Sequence, residues 1–524
     1  MTYRSILFFM ILAFLSAWPA AAAPITDDGA QRLKALFEKR IEEQRALSGI
    51  QGAGQITYDG TVTVEKADGY YAVTLPYVRM IYPDGTKINI GILSINASEH
   101  TNPGQWKMTV ALPTPMTMMD GKGASIGQIS IGSQRASGIW DEALGNFIKL
   151  DSAYQTIKIS GEREPFELLI GEAQTRYDFT KDAANLWSGP GFFTMKDFDL
   201  GFVNDPTKTH IDEARLDFTL DKYSPAAFQH YHDALAAFAQ AENKTKAGKD
   251  APNPEDTARL YNILHEFLLT GMNGLKTSYS VEGLSVSTLI DSSSRNVALK
   301  KASLTLDLDG FSSGQLQVGW RTGYEGLTYT PMPKGYDVFL PTSATVNIQA
   351  VRIPVKDLTT LAKNTMQTGM QSPEMRQLAG LSLMMQIPAL LAQAQTAATI
   401  DNSFAENGTY RLNLNGKIQA DPQSISGFTA EVTTALRGLD SLLAQAKALA
   451  ADPSAEVAQD YTAIASSLEK LKGYAKIDNG GDSGTLYVFE LLLDGQGQIL
   501  LNGQNINDLF MPAPTAATPD TAPA

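Results

Sequence analysis

The residues with the strongest claim to chemistry are Ser125 and the pair His230 and His232. Gly123-Ala-Ser-Ile-Gly127 has the spacing of a serine-hydrolase elbow, where a strand turns sharply into a helix and lifts the hydroxyl clear of the sheet. The residues that follow, Gln128-Ile-Ser-Ile131, alternate polar and apolar as a strand does, so no helix receives the turn. Ser125 therefore reads as part of a sheet turn. His230 and His232, with Asp233 beside them, are residue types that bind zinc. They fall in a segment of helical period, where two positions apart is about 200° around the axis, so the rings diverge. The other histidines, His100, His210 and His265, add no ligand spacing, and with no cysteine every thiolate zinc motif is excluded. Asp307-Leu-Asp309-Gly310 and Asp478-Asn-Gly-Gly-Asp482 lack the alternating acidic ligands and distal glutamate of an EF-hand loop and read as turns. No glycine-rich loop leads into a lysine-bearing helix. No catalytic, cofactor-binding or metal-ligating residue is assigned, and the chain is expected to be neither an enzyme nor the carrier of a cofactor.

Apolar residues at alternating positions are the remaining candidates. Ile88, Ile90 and Ile92 alternate along one stretch, and Leu304, Leu306 and Leu308 along another. If their faces exceed what a closed core needs, they form an apolar groove, because a large open apolar patch marks a binding surface. Methionine-bearing runs, Leu112–Met119 and Leu381–Leu391 with Met384-Met385, suit either core filling or a surface that accepts variable apolar partners.

The elements that must position these residues are legible from periodicity. Leu33, Leu36, Phe37 and Ile41 recur at three and four residues and predict a helix over Asp27–Leu47. From Gln55 to about Asp221 the period changes to two, punctuated by Asp59-Gly60, Asp68-Gly69, Pro83-Asp84-Gly85 and Asp120-Gly121, which predicts an antiparallel meander. A strand-into-helix unit then appears three times, at Ala214–Leu220, Ala344–Ile348 and Phe428–Val432. Helical hairpins are expected near Ser224–Leu269, Asp357–Thr399 and Leu439–Leu471, with Leu381–Ala394 as a candidate lid. The predicted fold class is α+β, mainly antiparallel, with elongated curved β-sheets and inserted helical hairpins. Its divisions are 1–22 as a signal peptide, 23–222 as a helix plus β-meander and 223–275 as a helical hairpin. A second β region with helical insertions takes 276–510, and 511–524 is an Ala/Pro/Thr-rich disordered tail.

Address comes from the first residues. A basic start at Met1–Arg4, the apolar run Ile6–Trp18, Pro19 and the small residues Ala20–Ala23 have the layout of a secretory signal peptide. Cleavage near Ala22 keeps Pro24 away from the cut, and an uncleaved anchor is the alternative. The expected location is the periplasm, with no stable membrane span after cleavage. The 524 residues carry a formal charge of −14, which repels phosphate backbones, so no nucleic-acid partner is expected.

The blocks Tyr70-Tyr-Ala-Val-Thr-Leu-Pro76, Gln105-Trp-Lys-Met108, Ala111-Leu-Pro-Thr-Pro115 and Leu493–Gly503 resemble exported proteobacterial families labelled domain of unknown function 2125 and 945. A remoter resemblance is to AsmA-like proteins. It implies a periplasmic, non-catalytic, β-rich envelope protein, and the AsmA-like sheet implies lipid handling. Two functions follow as expectations: binding of lipid or another apolar ligand on a concave sheet, or a scaffold and assembly role through an envelope protein partner.

Overall fold

The computed structural model describes residues 25–47, 55–162, 165–248, 254–290, 293–332, 335–369, 373–452, 458–478 and 485–506. Residues 1–22, expected to be a signal peptide, and 511–524, expected to be a tail, lie outside the described residues. Helix α1 (Asp27–Leu47) is followed by strands β1 (Gln55–Asp59), β2 (Thr63–Ala67), β3 (Tyr70–Ile81), β4 (Lys87–Glu99), β5 (Gln105–Ala111), β6 (Met116–Met119), β7 (Ser125–Asp141), β8 (Asn146–Gly161) and β9 (Phe166–Asp178). Next come β10 (Thr180–Lys181), β11 (Trp187–Phe202), β12 (Asp205–Tyr223), helices α2 (Pro225–Gly248) and α3 (Pro254–Thr270), β13 (Gly274–Ile290), β14 (Ser293–Asp309), β15 (Leu316–Glu325) and β16 (Thr328–Thr330). The remainder is α4 (Tyr336–Phe339), β17 (Ser343–Ile353), α5 (Val355–Gly369), α6 (Pro373–Gln393), β18 (Ala397–Glu406), β19 (Arg411–Ala420), β20 (Phe428–Arg437), α7 (Leu439–Ala450), α8 (Ala458–Tyr474), β21 (Lys476–Asp478), β22 (Leu486–Leu493), β23 (Ile499–Leu501) and β24 (Gln504–Asn505). The chain is thus α+β, and antiparallel sheet dominates. Among the described residues no helix is long and apolar enough to cross a membrane, which says nothing of crossing by strands.

Two compact units divide the chain. The first is Met1–Gly314 with Tyr324–Pro331 and Thr359–Ala379; the second is Gln315–Gly323, Met332–Leu358 and Gly380–Ala524. The expected boundary at 276 therefore moves. Strands β13 and β14 belong with the N-terminal strands, because β13 pairs with β12 from Gly274 to Ser287 and β14 pairs with β13 along its length.

In the first unit the core begins on α1. Its Leu33, Phe37 and Ile41 are buried in one cluster with Tyr71, Trp106, Leu150 and Ile170 from the strands. The turns between the early strands follow their side chains: the Asp84 carboxylate accepts the Thr86 amide at 3.1 Å, and that of Asp120 accepts the amides of Lys122 and Ala124. From β7 to β14 neighbouring long strands run antiparallel in the order β7, β8, β9, β11, β12, β13, β14.

A seam crosses all seven of these strands. The regular pairing skips Gly132, Thr156, Gly171, Asp197, Asp212, Gly283 and Lys300, and between β12 and β13 also Ile211 and Leu284. Every second strand meets the seam in the left-handed region, at Thr156 (φ 53°), Asp197 (φ 51°) and Gly283 (φ 63°). Glycine opposite makes the room. A Cβ on Gly132 would lie 3.0 Å from Thr156 Cβ, and one on Gly171 would lie 2.9 Å from Asp197 Cβ. Across the seam two consecutive side chains face outward, as Gln155 and Thr156 do, and the buried parity of β7, β8 and β9 changes. On β7 buried odd positions, Ile129 and Ile131, give way to even ones, Ala136 and Trp140.

The second unit runs β17, β18, β19, β20, β22, again antiparallel between neighbours. Its buried cluster is small: Leu436, Leu439, Tyr487 and Phe489, where α7 meets the sheet. The Asp440 carboxylate there accepts the Tyr487 hydroxyl at 2.6 Å and the Lys472 ammonium at 2.5 Å, tying α7, α8 and β22 together. The strand-into-helix unit has one construction at all three places. The pairs β12–β13, β17–β18 and β20–β22 are antiparallel neighbours whose connection is a helical hairpin.

Candidate functional site

The two triads predicted to share a groove have different fates. Ile88 and Ile90 are 7% and 3% exposed, inside the core cluster that α1 closes, so they are packing residues and not a groove wall. Ile92 is 53% exposed. The cause is a bulge. Val78 pairs with Gly91 and Arg79 with Asn89, so Ile90 is an extra residue, and Gly91 takes φ 103°. Beyond the bulge the buried residues of β4 are Ile95 and Ala97, of odd number, and Ile92 is left on the other side. Strict alternation in the sequence concealed this change of face.

Leu304, Leu306 and Leu308 are different. Leu304 is 43% exposed, and Leu306 and Leu308 are half-buried. Register shows what they belong to. One hydrogen-bonded row runs Ser152, Thr175, Phe193, Leu216, Tyr279, Leu304 across β8, β9, β11, β12, β13 and β14. Ser152 is 0% and Thr175 7% exposed, whereas Tyr279 is 46% and Leu304 43% exposed. The next row runs Leu150, Tyr177, Gly191, Phe218, Thr277, Leu306. It starts on the fully buried Leu150 and ends half-buried. The face that is a core at β8 and β9 thus continues, still apolar, as an open surface at β12–β14.

The reverse of these strands is polar and self-satisfied. Arg215 pairs with Asp217 at 2.6 Å and Lys276 with Asp307 at 3.0 Å, and the hydroxyls of Ser278 and Thr305 are 3.0 Å apart. The open face and the ion-paired face are two sides of one sheet. The sequence reading missed Leu216, Phe218, Leu275 and Tyr279 as members of the open face. The alternation of Leu216, Phe218 and Leu220 was a usable signal, but only register joins it to Leu304 and Leu306.

The other candidates resolve as follows. Ser125 opens β7 and is exposed, with strand and no helix after it. His230 and His232 lie on α2, where the His232 ring packs 4.3 Å from that of Phe228 and His230 is exposed. Among the described residues no group of three His, Cys, Asp or Glu is placed to hold a metal ion. Asp307 pairs with Lys276, Asp309 accepts Asn273 Nδ2 at 2.9 Å, and residues 479–484 lie outside the described residues. Met116 fills the core, while Met384 and Met385 on α6 are 75% and 79% exposed. The chain matches no protein-family model, no curated protein and no solved structure.

Proposed function

We propose that this is an exported, non-catalytic envelope protein that binds lipid acyl chains, or another elongated apolar ligand, on the open face of β12–β14. The observation that supports the reading is the row from Ser152 to Leu304, along which exposure rises from 0% to 43% while the residues from Phe193 onward stay apolar. A soluble surface that keeps such residues in a continuous patch gains by covering them, at about 25 cal/mol per Å² before ordering costs. Phe193, Leu216, Phe218, Leu275, Tyr279, Leu304 and Leu306 would form the wall, concave toward the ligand. The remote sequence resemblance to AsmA-like proteins and the signal-peptide layout of the first residues are expectations that agree with this reading.

The experiment is native mass spectrometry of the protein purified from the bacterial periplasm without detergent, followed by solvent extraction. Copurified phospholipid or fatty acid, lost in the Leu304→Asp/Leu306→Asp variant, is the expected result. A parent protein free of lipid, which also takes up none from added fatty acid, rejects the reading. A second reading, an envelope scaffold, has its own support: Leu378, Leu381, Met384 and Met385 on α6 are 58%, 55%, 75% and 79% exposed, and a stoichiometric protein partner lost on changing them would favour it.

A further inference from the structure

The outward face of the first unit carries a depression of about 250 Å³ over β5, β7, β8 and β9. It is lined by Lys107, Lys149 and Arg176, by Asp151 and Asp178, and floored by Ser137 and Ile139. Register places the charges in two adjacent rows, one running Thr109, Ser137, Asp151, Arg176 and the other Lys107, Ile139, Lys149, Asp178. Both acids are already engaged. Lys149 Nζ lies 2.6 Å from Asp178 Oδ2, and Arg135, at the rim, holds Asp151 at 3.1 Å. Lys107 and Arg176 have no ion pair among the described residues, and they sit at opposite ends of the depression on β5 and β9. Three strand spacings across the sheet and two residues along it separate them, about 16 Å between backbones, a span that two long side chains reaching inward can close on one anion. The lining and its rim thus carry four cations and two neutralised acids, on a chain whose formal charge is −14. A local excess of positive charge against that background focuses anions.

We propose that this depression is a phosphate-binding site, in which Lys107 and Arg176 close on the anion from either end and the Ser137 hydroxyl donates from the floor. Lys149 stays tethered to Asp178 and supplies field. Guanidinium and ammonium donors to phosphate oxygens form charge-assisted hydrogen bonds, the strong class for such a ligand. The site lies on the reverse of the sheet from the apolar face and stands whether or not that face binds lipid. Free phosphate compounds and phospholipid headgroups present the same chemistry.

Titration of the full mature chain with inorganic phosphate, followed by calorimetry, tests it in one arm. Flotation with phosphatidylglycerol vesicles, against phosphatidylcholine vesicles, tests it in the other. The expected result is saturable phosphate binding weakened roughly tenfold by Arg176→Gln and again by Lys107→Gln. Lys158→Gln, a lysine held by Glu167 at 2.6 Å outside the depression, should leave it unchanged. Saturable binding in the solution arm identifies a free phosphate ligand; binding only to phosphatidylglycerol vesicles, lost in the same two variants, identifies a headgroup. Because Arg176 is exposed and Lys107 half-buried, unchanged far-UV circular dichroism is expected for both variants, and Lys107→Arg should restore binding if charge alone is needed there. No saturable binding in either arm, or binding indifferent to Lys107 and Arg176, overturns the proposal.

Discussion

His210 stands on β12 directly opposite Asp199 of β11. Its Nδ1 lies 2.8 Å from Asp199 Oδ1 and its Nε2 3.0 Å from Asp212 Oδ1, so the imidazolium donates at both ends. Hydrogen bonds to Asp199 and then Asp212 raise its pKa above the ordinary histidine value, against a smaller opposing effect of burial. A raised folded-state pKa stabilises the fold fully below the unfolded value, near 6.5, and the contribution is lost as pH rises through the folded one. Urea denaturation of the parent and of His210→Gln at several pH values should show their difference shrinking as pH rises from about 6.5; a difference constant with pH would refute the clamp. Gly283 serves the same group. It takes φ 63°, and a Cβ there would lie 1.8 Å from Asp212 Oδ2, so Gly283→Ala displaces the carboxylate that His210 holds. At Gly171 a valine would crowd Asp197 across the seam and should cost about 1–3 kcal/mol, read as a lower denaturation midpoint at unchanged m-value.

At the scale of elements, two strands with one sequence pattern answer different demands. Strand β4 presents Ile88 and Ile90 to a core closed by α1, whereas β14 presents Leu304 and Leu306 to an open face. Ile90→Asp buries a carboxylate without a partner and should cost on the order of 4 kcal/mol, seen as a steep fall in melting temperature. Leu306→Asp should cost about 1 kcal/mol, because water reaches the half-buried side chain and hydrates the charge. Equal losses for the two variants would show that the β14 face is packed in solution and would remove the basis for ligand binding there. Much of the element scale was legible beforehand. Helix α1 has the predicted bounds, and the hairpins follow β12, β17 and β20 as expected. The seam was not, because left-handed backbone at a β-branched residue such as Thr156 has no sequence mark, and so short a skip in the pairing leaves alternation intact on either side.

At the scale of the molecule, the two units hold very unequal cores: one cluster joins α1 to β3–β9 and β11, while the other centres on Leu436, Leu439, Tyr487 and Phe489. Unequal cores should not melt as one. Calorimetry is expected to show a calorimetric enthalpy above the van't Hoff value, with the second unit unfolding first. Leu439→Ala, at a fully buried position, should lower that first transition at a cost of about 2–5 kcal/mol, and Leu150→Ala should lower the other. A single transition shifted alike by both variants would contradict this.

Periodicity and composition by themselves determined the antiparallel class, α1 and the three hairpins, because each rests on local spacing. Whether an apolar residue is core or surface was decided only by tertiary structure. Ile90 and Leu306 alternate with polar neighbours in the same way, and the difference between them is what lies above the sheet. Leu33, Phe37 and Ile41 of the helix share one buried cluster with residues of β3–β9, and the same face is half-buried to exposed through β12–β14. Lys107 and Arg176 are likewise 69 positions apart in the chain and meet at one depression only because β5, β7, β8 and β9 pair in that order. Register between distant strands is a property of the assembled sheet, and no window of the sequence contains it.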